Sequence, residues 1–180
     1  MSKVKSISAY NYQKTENGLG NKTPHSYTEF DSNGNEIVSI TYFDTGEIET
    51  KIITEFDENG NKSKEINYLD DEQIAEEVIY ERNSDNKPER EIIAYADGSE
   101  SIKKYERNPE DNSVNIITVD DEDYLEEKEQ LKLNENDLVI ERTIFDEDEN
   151  ITEKHCMEYD DNKNLIRRLE YGEGGDDLLT

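Results

Sequence analysis

Two nearly identical stretches decide how this chain folds: FDSNGN at residues 30–35 and FDENGN at residues 56–61. In each, an aromatic residue precedes an aspartate, and an Asn-Gly pair begins two positions after that aspartate. An Asp side chain can accept hydrogen bonds from the backbone two residues ahead, and Asn-Gly supplies the positive φ of a tight hairpin turn. Both stretches therefore predict turns between paired β-strands.

The same turn recurs along the chain at a nearly constant spacing. Its leading Asp or Asn stands at positions 31, 57, 83, 108, 134 and 160, in steps of 26, 26, 25, 26 and 26 residues. A second family of Asp-led turns lies between them, with aspartates at 44, 70, 97, 120 and 146. We therefore predict a hairpin repeat of about 26 residues, with one turn family on each rim of a sheet.

The segments between the turns have the composition of β-strands. They hold seven to ten residues rich in Ile, Tyr, Thr and Val, such as EIVSITYF at 36–43 and KSKEINYL at 62–69. Strands of this length joined by short turns pair as antiparallel neighbours. The sequence thus predicts an all-β fold, an antiparallel β-meander of about 12–13 strands that forms a long curved sheet or a barrel-like closure.

Length and turn phase predict a single domain with irregular ends. Residues 25–172 hold the hairpin repeats, and 173–180 are expected to be a flexible tail. Residues 1–24 fall outside the strict period and predict one strand, over 4–12, followed by a Gly/Asn loop. The segment 71–82, DEQIAEEVIYER, has helical propensity, but the turns at its two ends keep their phase, so we predict a strand.

Negative charge dominates the composition. The 180 residues include 47 acidic and 20 basic ones, a net charge of -27. Such chains are often disordered, but the apolar residues here are strand formers at regular positions. A strongly negative surface repels nucleic acids and anionic membranes and attracts basic proteins. We therefore expect a basic protein partner, while keeping the alternative that the charge only maintains solubility.

Side chains suited to catalysis are scarce. The chain has two histidines, His25 and His155, and one cysteine, Cys156. Neighbouring residues of a strand point to opposite faces, so His155 and Cys156 cannot form a catalytic dyad. The sequence has no Gly-rich phosphate loop and no His/Cys metal spacing. We predict that the protein is not an enzyme and holds no cofactor.

The Asp-rich turns share their first positions with calcium-binding loops. Asp31–Asn35 and Asp57–Asn61 resemble the start of an EF-hand loop, but the glycine stands at position 4 rather than 6. Position 12, a Glu in EF-hands, is Tyr42 or Tyr68 here. We therefore predict ordinary hairpin turns without a metal.

Acidic residues are densest in two stretches, VDDEDYLEEKEQ at 119–130 and DEDE at 146–149. A charge run is usually solvated surface; the sharper alternative is a face on which a basic partner docks. On that alternative the candidate partner-binding residues are Asp120, Asp121, Glu122, Asp123, Tyr124, Asp146, Glu147, Asp148 and Glu149.

The N-terminal sequence MSKVKSISAYNYQ lacks the apolar core of a signal peptide, and no segment has transmembrane length. A single cysteine excludes an intrachain disulfide. We therefore expect a cytoplasmic protein. The abundance of Asn, Lys, Glu and Ile is typical of AT-rich bacterial or phage genomes, and the oligomeric state stays open.

Over residues 26–172, the aromatic-Asp-x-Asn-Gly-Asn turns and Tyr-rich strands resemble the YD repeats of Rhs-type proteins. They also resemble MORN-like repeat proteins, which occur as antitoxin or immunity partners of bacterial polymorphic toxins. The resemblance implies an inhibitor that binds a bacterial toxin, and the charge suggests a basic one. Two alternatives are a phage or mobile-element anti-defence protein that mimics DNA, and an assembly module that pairs through its sheet edges.

Overall fold

The computed structural model describes residues 4–16, 18–175 and 178, and most of these lie in β-strands or in the turns between them. The strands are β1 (Ser6–Thr15), β2 (Gly18–Phe30), β3 (Glu36–Tyr42), β4 (Ile48–Phe56), β5 (Lys62–Tyr68), β6 (Ile74–Arg82), β7 (Pro88–Tyr95), β8 (Glu100–Asn108), β9 (Ser113–Asp120), β10 (Leu125–Leu133), β11 (Val139–Phe145), β12 (Ile151–Tyr159) and β13 (Leu165–Tyr171). A 3₁₀ turn at Glu173–Gly175 follows.

The thirteen strands of the described chain are hydrogen-bonded neighbours in their sequence order, from β1 to β13. This order confirms the predicted all-β antiparallel meander. Because β1 and β13 stand at the two ends of the order, the sheet is open, and the barrel-like closure is not the form adopted. Strand β6, at Ile74–Arg82, confirms the strand predicted for 71–82.

Packing divides the chain into two compact units. Unit 1 comprises Met1–Tyr80 and Ile92–Ser99, and unit 2 comprises Glu81–Glu91 and Glu100–Thr180. Unit 1 therefore contains β1 to β5 whole, and unit 2 contains β8 to β13 whole. The single domain predicted from the chain length stays a prediction.

Most turns share one backbone geometry. In the turn at 31–35, the Asp31 N–H donates to the Asn35 carbonyl at 2.9 Å, and the Gly34 N–H donates to the Asp31 carbonyl at 3.2 Å. The fourth residue, Gly34, has φ +97°. This is a type I turn followed by a left-handed residue, the usual three-residue hairpin loop. The left-handed fourth positions are Gly34, Gly46, Gly60, Asn86, Gly98, Asp123, Asp137, Glu149 and Lys163.

The second turn family is Asp-led only in its last two members. The turns at 43–47 and 95–99 begin at Phe43 and Tyr95, whose N–H groups each donate to the carbonyl four residues on at 2.9 Å. The turn at 69–73 begins at Leu69 in the same way. These three turns therefore begin one or two residues before the predicted aspartates at 44, 70 and 97. Asp70 and Asp97 still act as turn acceptors: Asp70 Oδ1 accepts from the backbone N–H groups of Glu72 at 2.9 Å and Gln73 at 2.8 Å, and Asp97 Oδ1 accepts from that of Ser99 at 3.0 Å. In the turns at 43–47 and 95–99 the left-handed glycine, Gly46 or Gly98, occupies the fourth position and so sets the frame.

The prediction of an N-terminal loop after residue 12 is also wrong. β1 continues to Thr15 and β2 begins at Gly18, with Thr15 opposite Gly18 and Lys14 opposite Leu19. The hairpin closes tightly because Gly18 adopts φ +119° and accepts a hydrogen bond from the Thr15 hydroxyl at 2.9 Å. Two register shifts in the β1–β2 pair accommodate this longer hairpin.

At the other end, Leu178 forms an isolated bridge with Tyr171. Residues 176, 177, 179 and 180 of the predicted flexible tail lie outside the described residues.

Few side chains are buried. Among the described residues, the buried hydrophobic ones are Val78 in unit 1 and Val114 and Val119 in unit 2. Several buried residues are polar: Thr54, Ser101, Ser113, Thr118, Thr143 and His155. The fold therefore depends on its strand ladder and its turns more than on a large apolar core, as the 31% hydrophobic composition predicts.

The turn carboxylates are expected to make stability pH-dependent. The Asn164 side chain, followed by the backbone N–H groups of Asn164 and Asn162, lowers the pKa of Asp160. A carboxyl whose pKa is lower in the folded state adds stability above its unfolded pKa of about 3.9, and this contribution is lost as pH falls through the folded pKa. Urea unfolding at pH 7 and pH 3 should show a smaller difference for Asp160→Asn than for the natural protein.

Asp160→Ala is the companion variant. Asn134 leads a turn in the same way, its Oδ1 accepting from the backbone N–H groups of Asn136 at 2.9 Å and Leu138 at 3.1 Å. An amide therefore suffices as the turn acceptor, and Asp160→Ala, which has none, should be less stable than Asp160→Asn at pH 7. Equal stability of the two variants would show that the turn does not depend on this acceptor.

Candidate functional site

The two acidic stretches lie in neighbouring turns on one rim of unit 2. Asp120–Tyr124 is the turn between β9 and β10, and Asp146–Asn150 is the turn between β11 and β12. Alternate turns of a meander lie on the same rim, and two strand spacings separate these two by about 10 Å. We call residues 120–124 and 146–149 the acidic rim. The fold thus brings together all nine candidate residues from the two stretches.

Two of the nine use their carboxylates to build the turns. Asp120 Oδ1 accepts from the backbone N–H groups of Glu122 at 2.9 Å and Tyr124 at 2.8 Å. Asp146 Oδ1 accepts from the backbone N–H groups of Asp148 at 3.0 Å and Asn150 at 2.8 Å. The Asn150 side-chain amide, followed by its backbone N–H, lowers the pKa of Asp146. These two carboxylates therefore stabilise the turns that form the rim.

Glu149 connects the turn at 146–149 to strand β10. Its carboxylate forms an ion pair with Lys128 of β10, which lowers the pKa of Glu149. The same Lys128 Nζ lies 5.5 Å from the centre of the Phe145 ring, at the end of β11. Lys128 therefore contacts both the acidic turn at 146–149 and the strand that leads into it.

The remaining acidic members face solvent. Among the described residues, no hydrogen bond or ion pair engages the carboxylates of Asp121, Glu122, Asp123, Glu147 and Asp148, and all five residues are exposed. Tyr124, the last residue of the turn at 120–124 and the residue before β10, is 66% exposed. The rim therefore presents five unneutralised carboxylates and one accessible aromatic ring.

A shallow depression of about 310 Å³ is lined by Leu125, Glu126, Glu127 and Lys128 of β10 and by Phe145, Asp146 and Glu147. Five of these seven residues, Leu125–Lys128 and Phe145, were not among the candidates. The four from β10 belong to the acidic stretch at 119–130, so its composition was the available signal for them, and Phe145 directly precedes the stretch at 146–149. The placement of the four depends on a register shift in β10, where Leu125 pairs with Val119 and Glu127 with Thr118.

Carboxylates within the strands of unit 2 differ from those of the rim because several are neutralised. Glu129 accepts hydrogen bonds from Arg142 Nε at 2.9 Å and Nη2 at 2.8 Å. Glu141 lies between Lys132 at 2.7 Å and Lys154 at 3.0 Å. Although desolvation opposes it, these two lysines lower the pKa of Glu141. These two strand carboxylates are thus neutralised by their neighbours, whereas the five exposed turn carboxylates are not.

His155 and Cys156 lie on opposite faces, as predicted. His155 pairs with Arg142 and Glu170 across the neighbouring strands, while Cys156 pairs with Glu141 and Leu169. The register therefore separates the two side chains by the thickness of the sheet, and a Cys–His dyad is excluded.

The turns at 31–35 and 57–61 are ordinary hairpins in geometry. Asp31 Oδ1 accepts from the backbone N–H groups of Asn33, Gly34 and Asn35 at 2.8, 2.8 and 2.9 Å, and Oδ2 accepts from the Asn35 amide at 3.0 Å. These donors occupy the lone pairs that a calcium ion would need. Within the described chain, no cluster of three His, Cys, Asp or Glu side chains is arranged to hold a metal.

Compared with family models and with curated proteins, the chain matches neither, so the resemblance to YD-repeat and MORN-like proteins stays a prediction. In the described part of the chain, no helix has the length and apolar character needed to cross a membrane.

Proposed function

We propose that this protein is a non-enzymatic inhibitor that binds a basic protein through the acidic rim. The supporting observation is that two turns, 26 residues apart in sequence, gather five exposed and unpaired carboxylates on one rim. Their separation of about 10 Å is close to the Debye length of about 8 Å at physiological salt, so the charges act jointly on an approaching cationic surface. Such complementarity speeds association and selects the partner.

Tyr124 and Leu125 supply the apolar part of the proposed surface. Both are exposed: Tyr124 is the last residue of the acidic turn at 120–124, and Leu125 is the first residue of β10. Interfaces are commonly anchored by an aromatic side chain within a polar surround. The rim therefore combines charges that speed association with apolar side chains that slow dissociation of the partner.

A basic bacterial toxin, such as a nuclease, is the partner we propose, with the protein acting as its immunity protein or antitoxin in the bacterial cytoplasm. The net charge of -27 and the repeat resemblance support this choice. The DNA-mimic alternative requires carboxylates in two rows at phosphate-like spacing. Glu129 and Glu141 instead lie on opposite faces of the sheet. Glu129 pairs with Ile144 and Glu141 pairs with Lys132, and the two pairs are three residues apart along each strand.

Neutralising the rim should abolish partner capture. The variant carries Asp121→Asn, Glu122→Gln, Asp123→Asn, Glu147→Gln and Asp148→Asn. Tagged natural protein expressed in its native cells should co-purify with a stoichiometric basic protein, whereas the variant should recover little of it. The captured protein, once identified, should be toxic when expressed alone and harmless together with the natural chain.

The matched control neutralises five exposed acids in turns of the other family, which is led by the residues at 57, 83, 108, 134 and 160: Glu58, Asp85, Glu110, Glu135 and Asp161. It removes the same net charge, so it should capture the partner nearly as well as the natural protein. Equal loss in both variants would assign binding to overall charge, and recovery of the natural protein alone would overturn the proposal.

A further inference from the structure

Strand β1 has an open hydrogen-bonding side. The Lys5 carbonyl accepts from the Phe30 N–H at 2.8 Å, and the register places Ser6 opposite Glu29. Residues of an antiparallel strand alternate in the direction of their backbone groups, so Lys5 and Ile7 direct theirs toward β2. Ser6 and Ser8 direct theirs to the other side, where the described chain places no strand.

β1 also differs from the other strands in charge. It is the one strand among the thirteen described that contains no acidic residue, in a chain with 47 acids in 180 residues. Its charges, Lys5 just before the strand and Lys14 near its end, are both basic and both exposed. Between them, residues 6–13 carry no charge, and the side chains of Ile7, Tyr10 and Tyr12 are about half exposed.

Edge strands are normally protected by charges, prolines or strong irregularity along their length. In β1 the charges are confined to the two ends, and the register with β2 is regular from Ser6 to Ala9, before the shifts at Ala9/Tyr10 and Tyr12/Lys14, so this first half of the edge remains available for pairing. Main-chain hydrogen bonds and alternating side chains are the elements by which one protein adds a strand to the sheet of another.

We propose that β1 accepts, by strand addition, an extended acidic segment of another protein. Opposite charges across a strand pair favour pairing, and like charges oppose it, so Lys5 and Lys14 select a strand with acids toward its ends. The acids next to β1 are Glu29, opposite Ser6, and Glu16, just after its end, and they are outnumbered by Lys5, Lys14 and Lys22, which lies opposite Tyr12. Charges beyond about 8 Å are screened at physiological salt.

A second copy of this chain fits the edge less well. Pairing two β1 strands antiparallel with their ends aligned places Lys5 opposite Lys14 at both ends, and the edge strand β13 carries Arg167 and Arg168. This site lies in unit 1 and binds acids, so it is independent of the acidic rim in unit 2 and goes beyond the function proposed above.

The test uses two fluorescein-labelled peptides, ETVTVTVTE and KTVTVTVTK, in anisotropy titrations with the full chain. The acidic peptide should bind saturably. Ser8→Pro removes the outward N–H while leaving the bonds to β2 in place, and it should weaken binding by about five- to tenfold. Ser8→Ala, which keeps that N–H, should bind like the natural protein.

Two further variants separate this proposal from the first. Lys5→Glu combined with Lys14→Glu alters only exposed side chains, so folding should be unaffected while the preference for the acidic peptide is lost. The neutralised acidic rim should leave acidic-peptide affinity unchanged. The proposal is overturned if the acidic peptide does not bind, if Ser8→Pro and the charge reversal both leave its affinity unchanged, or if sedimentation shows a natural dimer that Ser8→Pro dissociates.

Discussion

Truncation of Val114 to alanine is expected to lower the free energy of unfolding by about 2 kcal/mol. Val114 is 3% exposed and lies on β9, opposite Arg107 of β8 and Leu131 of β10. Each buried methyl group contributes about 0.8 kcal/mol through removal from water, and the space left behind adds a cavity cost. The loss is large for this protein because so few apolar side chains are buried among the described residues.

Urea unfolding followed by circular dichroism measures the loss, and hydrogen exchange at the β9 amides locates it. Val4→Ala removes the same atoms from a side chain that is 60% exposed, and its effect should stay within about 0.5 kcal/mol. If the two substitutions cost the same, Val114 is not part of a core and the fold is held by its hydrogen-bonded ladder alone.

The meander was predictable because the hydrogen bonds that form its turns join residues close together in the sequence. An Asp or Asn that accepts backbone N–H groups two and four residues ahead forms its turn without help from distant residues, as Asp160 does with Asn162 and Asn164. Regular spacing of such turns then dictates strand length and antiparallel order. The same spacing places the turns at 120 and 146 on one rim.

Where local signals compete, the sequence was ambiguous. Phe43-Asp44 and Phe30-Asp31 look alike, yet one turn begins at the aromatic residue and the other at the aspartate. The position of the following glycine decides between them, because only the fourth residue is left-handed. The β1–β2 hairpin was missed for a related reason: its turn at Thr15–Gly18 lacks the Asp-led signature.

The candidate site was predictable in place but not in detail. Acid density located the two stretches, whereas the separate roles of Asp120 and Asp121 follow from which carboxylate meets the turn's backbone N–H groups. Ion pairs such as Glu129 with Arg142 join residues 13 positions apart and depend on strand register. Composition does not determine register, so it gave no indication of which charges are neutralised.

Breaking the Glu129–Arg142 pair on one side should cost more than replacing both partners. The Glu129 side chain is 13% exposed and receives both Nε–H and Nη2–H of Arg142, which is 35% exposed. Glu129→Gln leaves a guanidinium with a poorer acceptor; discounted for the partial exposure of the arginine, we expect a loss of about 1–2 kcal/mol.

Replacing both residues by methionine removes two charges that must be desolvated together, so the double variant should lie within about 1 kcal/mol of the natural protein. A double-mutant cycle of Glu129→Met, Arg142→Met and the double variant, measured by urea unfolding, gives the coupling between the two side chains. The control pair is Glu158 and Arg167, 3.3 Å apart with both side chains 56% exposed, where Glu158→Gln should cost less than about 0.5 kcal/mol. Additive losses at Glu129 and Arg142 would mean that solvent screens this pair as fully as the exposed one, and that the strand charges of unit 2 neutralise one another without stabilising the sheet.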